Sequence, residues 1–184
     1  MTHAFWPAPP GPSCPGRAPN RRAGAHHRRS RFIGSHVVDR LLADGHDVTA
    51  YDDFSTGQER FLESTLAAPR FRLIRGTILD RQALATATSG ADIVFHFAAN
   101  ADVRHGADAP DRDLQHNAIG TFNVLEAMRA SGVKRVVFPS TGSVYGEPDV
   151  FPTPEHAPFP HQTSMYGAAK FAREALIQAY GEAG

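Results

Sequence analysis

The stretch GAHHRRSRFIGSHVVDRLLADGHDVTAYDD, Gly24 to Asp53, decides the fold. From Phe32 onward it places Ile33, Val37, Leu41 and Leu42 on one helical stripe, with Gly45 as a C-terminal stop. DVTAYD then reads as a short strand ending in acids. A helix that feeds such a strand packs on a sheet, and crossover units come in pairs, so a strand should precede it. The residues available there are AGAHHRRSR, 23–31. Burying two histidines and three arginines in a sheet centre needs a partner for each charge, and none is evident. The expectation is a fold whose first strand is lost.

Downstream the alternation is regular. RFLESTLAA reads as a short helix, RFRLIRG as a strand, DRQALATATSG as a helix and ADIVFHFAA as a largely buried strand. DLQHNAIGTFNVLEAMRASG makes a long helix, VKRVVFPS a strand, and Ser164 to Tyr180 a last helix. Strands alternating with helices imply right-handed crossovers and a parallel sheet, hence an α/β, doubly wound architecture.

Charge divides the chain in the same place. Residues 1–31 hold six arginines and no acid, whereas 32–184 carry a net charge of −6. Six prolines in the first 20 residues argue against a helix or a packed core there. We therefore read 1–31 as a disordered or frameshifted tail and 32–184 as a partial nucleotide-binding domain. The basic tail lacks aromatic interleaving, so nucleic acid is not the expected partner. No apolar run is long enough to span a bilayer. Cys14 is the only cysteine, which fits a reducing cytoplasm. His26 and His27 have no carboxylate or cysteine at ligand spacing, so no metal site is expected.

Six phrases in order carry a resemblance: FIGSH, YDDFSTG, VFHFAANADV, HNAIGTFNVLEA, VVFPSTGSVYG and SMYGAAKFAREALI. Together they resemble the NAD-dependent epimerase/dehydratase family, the extended short-chain dehydrogenases/reductases, and within it the nucleotide-sugar epimerases of the UDP-glucose 4-epimerase kind. The likeness runs from Phe32 to about Tyr180, roughly the first half of such an enzyme. It implies a Rossmann-like fold, NAD as cofactor, a UDP-sugar as substrate and, in complete relatives, a homodimer. It also implies a later substrate domain that would lie beyond Gly184.

The family opens with a strand and Gly-x-x-Gly-x-x-Gly, whose bare backbone approaches a pyrophosphate at a helix N-terminus. Only the third glycine remains, as Gly34, beside Phe32 and Ile33. A reading-frame shift accounts for the rest. Residues 24–30 can be encoded GGC-GCT-CAT-CAC-CGG-CGG-AGC. One base later the same string reads Ala-Leu-Ile-Thr-Gly-Gly-Ala, and a glycine in place of Arg31 would complete the signature.

By the same resemblance Asp52 accepts from the adenosine ribose hydroxyls, and a carboxylate there favours NAD over NADP. Asp53, Phe54, Ser55, Thr56 and Gly57 cover that edge. Thr77 stands where the family has an acid, leaving Ile78 as the adenine neighbour. Phe97, Ala98, Ala99, Asn100 and Ala101 line the cleft with their backbone, and Asn117 offers a polar contact from a helix.

Thr141, Tyr166 and Lys170 carry the chemistry. Tyr166 and Lys170 are four apart on one helix face. A lysine beside a phenol favours phenolate, which would make Tyr166 a base near neutral pH. Lys170 also serves the nicotinamide ribose, Thr141 meets the reacting oxygen, and Ser140 is a substrate-pocket candidate. Gly142 and Ser143 follow Thr141 where dehydratases carry Asp-Glu, so dehydration is disfavoured. A nucleotide-sugar reductase and a non-enzymatic degraded-gene product remain open alternatives.

Overall fold

The computed structural model describes residues 3–4, 22–23, 31–55, 59–100, 109–157 and 161–183. The first helix, α1, is Arg31–Ala43, one residue earlier than the resemblance begins. It leads into β3, Asp47–Asp52. A 3₁₀ turn at Glu59–Leu62 and the short helix α2, Glu63–Leu66, precede β4, Phe71–Arg75. Helix α3, Arg81–Thr88, starts on Asp80, whose carboxylate accepts from the backbone of Gln82 and Ala83. The strands after it are shorter than their apolar runs suggest: β5 is Val94–His96 and β6 is Val136–Val137.

Between them the expected long helix is present but not uniform. It opens as α4, Pro110–Asp113, widens into a π segment over Leu114–Ile119, and continues as α5, Gly120–Ser131. Gly132 closes it in the left-handed conformation, φ 71°. A 3₁₀ turn, Gly142–Tyr145, and α6, Met165–Glu182, complete the order.

Two dipeptides of the tail enter the sheets, contrary to the expected disorder. β2, Arg22–Ala23, pairs in parallel with β3, matching Arg22 to Asp47 and Ala23 to Val48. β1, His3–Ala4, pairs antiparallel with β5. The pairing elsewhere is parallel, β3 with β4 and β5 with β6. The strand orders are β2-β3-β4 and β1-β5-β6, two three-stranded sheets rather than one. Backbone groups on the inner edges of β3 and β5 need partners whatever the side chains are. Backbone pairing is blind to side-chain type, which is how so unpromising a tail joins both sheets.

Helices cover both faces. Val48 looks toward α1, where Val38 and Leu41 are buried, with Phe71 and Phe95 alongside. Tyr51, of opposite parity on β3, joins Ile78, Leu84, Val94, Val124 and Met128 beneath α3 and α5. Ile33 does not share the α1 stripe; it is 51% exposed, because the buried face of the helix runs through Gly34, Val38 and Leu41 and Ile33 lies to one side of it.

Candidate active site

Helix α6 presents Tyr166, Lys170 and Arg173 at i, i+4 and i+7, a single face. Ser164 caps the helix by accepting from the Gly167 N–H at 3.0 Å. A Cβ on Gly167 would lie 2.8 Å from the Ser143 carbonyl oxygen, so only glycine lets the helix start against the Gly142–Tyr145 turn. Thr141 caps that turn, accepting from the Ser143 N–H at 3.2 Å. The two caps bring Thr141 to Tyr166, where its hydroxyl draws the phenol's pKa down.

Burial outweighs that pull. It pushes the Tyr166 pKa up, opposed by the Thr141 hydrogen bond and the charge of Arg173, and Asp113 adds to the rise. Burial likewise lowers Lys170 to about 7, helped by the positive charge of Arg173 and resisted by Glu174. The phenolate is thus not the resting form, because burial of the phenol itself outweighs the groups that favour its ionisation. Lys170 is 5% exposed and gives a hydrogen bond to the carbonyl oxygen of Pro139 at 3.3 Å. Its nitrogen retains capacity for further acceptors.

Arg173 was not foreseen from sequence. Its guanidinium is fully buried and donates to the carbonyl oxygens of Ala98, at 2.8 Å, and His96. Its position seven residues after Tyr166 was the available signal, but an isolated arginine in a helix ordinarily reads as surface. Ser140 donates to Glu174, one turn beyond Lys170.

The cleft residues divide. Phe97, Ala98, Ala99 and Asn100 are buried at the carboxyl end of β5. Asn100 and Asn117 both donate to the same oxygen of Asp113, at 2.8 and 3.2 Å. Asn117 also donates to the Asn100 carbonyl at 3.2 Å. Asn117 sits in the π segment, where the altered ladder accommodates a buried amide. Its Oδ1 and the second oxygen of Asp113 are buried without a hydrogen-bond partner among the described residues. Thr121 donates to the Asn117 carbonyl at 2.7 Å, so its oxygen accepts from Nε2 of His96 at 2.8 Å.

At the other end Asp52 is buried, with one oxygen accepting from the Phe54 N–H at 2.7 Å. Asp53 accepts from the Ser55 N–H at 2.9 Å. These bonds turn the chain sharply and place Phe54 at φ 51°, its ring 4.6 Å from the Arg75 guanidinium. Gly34 is buried in the first turn of α1, and Phe32 lies on the same turn. The Thr77 carbonyl is taken by the Tyr51 hydroxyl at 2.9 Å. Ile78 is wholly inside the core, so an adenine contact there would involve its backbone and not its side chain. Thr56, Gly57, Ala101, His26 and His27 lie outside the described residues.

Parallel strands, helices on both faces and small residues at a strand's carboxyl end define a Rossmann-like α/β domain. Residues 29–184 match the model of the NAD dependent epimerase/dehydratase family, and the chain belongs to that family. It is 40% identical over 151 residues to a UDP-glucose 4-epimerase of Mycolicibacterium smegmatis, covering 81% of this chain and 48% of that protein. The UDP-glucose 4-epimerase of Thermotoga maritima, solved with UDP-glucose, superposes with TM-score 0.74 and 36% identity, over 82% of this chain and 48% of that one. The Brucella ovis enzyme of the same name, solved with NAD, superposes with TM-score 0.73 and 29% identity, over 82% and 45%. The chain spans about half the length of the relatives it matches. Among the described residues no helix is long and apolar enough to cross a membrane.

Proposed function

We propose that this chain supplies the NAD-binding and acid–base half of a nucleotide-sugar epimerase acting at the sugar C4 of a UDP-sugar. The observation that carries this reading is the convergence of Thr141, Tyr166 and Lys170 through two helix caps and Gly167. Relatives solved with UDP-glucose and with NAD support the substrate and cofactor classes. Residues 32–184 form the catalytic unit in this reading, with the tail dipeptides His3–Ala4 and Arg22–Ala23 paired to its strands.

The residues fit a dinucleotide unevenly. Lys170 keeps donors free for a ribose diol, and Asp52 closes β3 with a carboxylate. The pyrophosphate cradle would fall on residues 24–30, outside those described. NAD, when bound, supplies reversible hydride acceptance at the sugar carbon. Tyr166 takes the proton of the reacting hydroxyl and later returns it. Thr141 holds that oxygen by a hydrogen bond. Lys170, buried and near its titration point, offers the phenol a cation whose charge responds to the site. A homodimer in the cytoplasm completes the reading, in keeping with the family resemblance and a single cysteine, Cys14.

The test is interconversion of UDP-glucose and UDP-galactose without added reductant. It should be run on this chain and on the chain extended with the remaining half of the Mycolicibacterium smegmatis relative. Epimerisation by the extended protein supports the proposal; turnover only with stoichiometric NADH makes it a reductase.

A further inference from the structure

Arg173 is an unusual group to find at 0% exposure on a helix that also carries Tyr166 and Lys170. A buried guanidinium is costly unless its donors are met. Here two of its nitrogens bond carbonyl oxygens at the end of β5, Ala98 and His96, while Nε is buried without a hydrogen-bond partner among the described residues. The Phe138 ring, just past β6, lies 5.4 Å from its carbon centre. Backbone carbonyls carry no net charge, so these bonds do not themselves neutralise Arg173, and among the described residues no Asp or Glu forms an ion pair with it.

We propose that Arg173 is the positioning residue of this site. It fixes the Tyr166–Lys170 face of α6 on the carboxyl end of β5 and sets the positive field in which that pair works. Among the described residues, the charged and polar groups acting on the pair come from each element packed against it. Glu174 stands one turn from Lys170 on α6, and its carboxylate also receives Ser140. Asp113 acts on Tyr166 from α4. From β5 come only the two carbonyls, the His96 imidazole being directed to Thr121. Beyond β6 the neighbours are the Pro139 carbonyl and the Thr141 hydroxyl, both neutral. Among the described residues Arg173 is the cation that acts on both members: it disfavours the Lys170 ammonium and favours the Tyr166 phenolate. Its effect is to shift the pair toward a neutral amine and an ionisable phenol.

The inference rests on reading Tyr166 and Lys170 as the working pair, but its test needs no turnover. The chain has only two lysines, Lys134 and Lys170. Lysine labelled with ¹³C at Cε therefore gives two side-chain signals in the 184-residue protein, with exposed Lys134 as internal reference. In Arg173→Met the Lys170 midpoint should rise by roughly one pH unit, the size expected for loss of a nearby like charge. An unchanged Lys170 midpoint in a folded variant overturns the proposal. Should the variant not fold, ¹⁵N-arginine spectra of the unsubstituted chain decide. One guanidinium with hindered rotation and slowly exchanging protons supports the tether to two carbonyls, and the absence of any such signal overturns it. Loss of epimerisation in Tyr166→Phe bears on the pair itself and leaves the Lys170 titration readable.

Discussion

The Lys170 ammonium lies 5.8 Å from the centre of the Tyr166 ring and gives its hydrogen bond to the Pro139 carbonyl. The two residues are therefore neighbours on one helix face, and burial is the largest influence on each of them. Proton traffic at this site is governed by burial first.

That ordering gives the protein a pH signature. Lys170 is lowered to about 7 by burial, then by Arg173, against an ordinary value of 10.5. Between these values the unfolded chain binds a proton that the native site does not, so stability should rise with pH across that window. Below about 7 both forms carry the proton, and this contribution is flat. Urea unfolding at intervals from pH 6 to 10 would show the slope, and Lys170→Met should remove it.

Catalysis should depend on the phenol oxygen and not on the ring. In the extended protein, Tyr166→Phe should lower epimerisation on the order of 10²- to 10⁴-fold with the fold retained. Thr141→Val should cost less, since it removes one hydrogen bond, and Thr141→Ser should be largely tolerated. Equal rates for Tyr166→Phe and the parent would remove Tyr166 from the chemistry.

Cofactor affinity should follow the residues at 24–31. As written, arginines stand where a bare backbone would approach a pyrophosphate. Replacing 24–31 by Ala-Leu-Ile-Thr-Gly-Gly-Ala-Gly should strengthen NAD binding, with preference over NADP because Asp52 repels a 2′-phosphate. Calorimetry on both chains checks this; equally tight binding before and after the replacement would contradict it.

A core prediction is independent of function. A Cβ on Gly120 would come within 2.2 Å of the Ile78 Cδ1. Gly120→Ala should therefore destabilise by about 1–3 kcal/mol through overpacking. Ile78→Val removes the offending methyl, so the double variant should recover part of the loss in chemical denaturation.

These sites differ in how openly the sequence shows them. Asp80 and Ser164 mark helix starts by residue type alone, and both cap as their positions suggest. Tyr166 and Lys170 are legible because a four-residue spacing fixes a shared face. Arg173 was hidden, since its burial depends on carbonyls from β5, far away in sequence. Ile33 followed the apolar period yet faces out, because the buried face of α1 runs through Gly34, Val38 and Leu41 and Ile33 lies to one side of it. The tail strands were illegible for a different reason: they are recruited by unpaired edges, and backbone pairing leaves no trace in side-chain pattern.

The seam between the two sheets has a mechanical consequence. Among the described residues no backbone ladder joins β3 to β5, and Tyr51 and Val94 meet instead in a common apolar cluster. Dispersion and solvent exclusion resist separation of the halves but oppose sliding only weakly, having no direction of their own. Asp52 belongs to one half and the β5 end that Arg173 grips belongs to the other. Among the described residues the span between those two stations is bridged by side-chain packing rather than by a backbone ladder, and a rigid molecule bridging them would act as a gauge that fixes their separation.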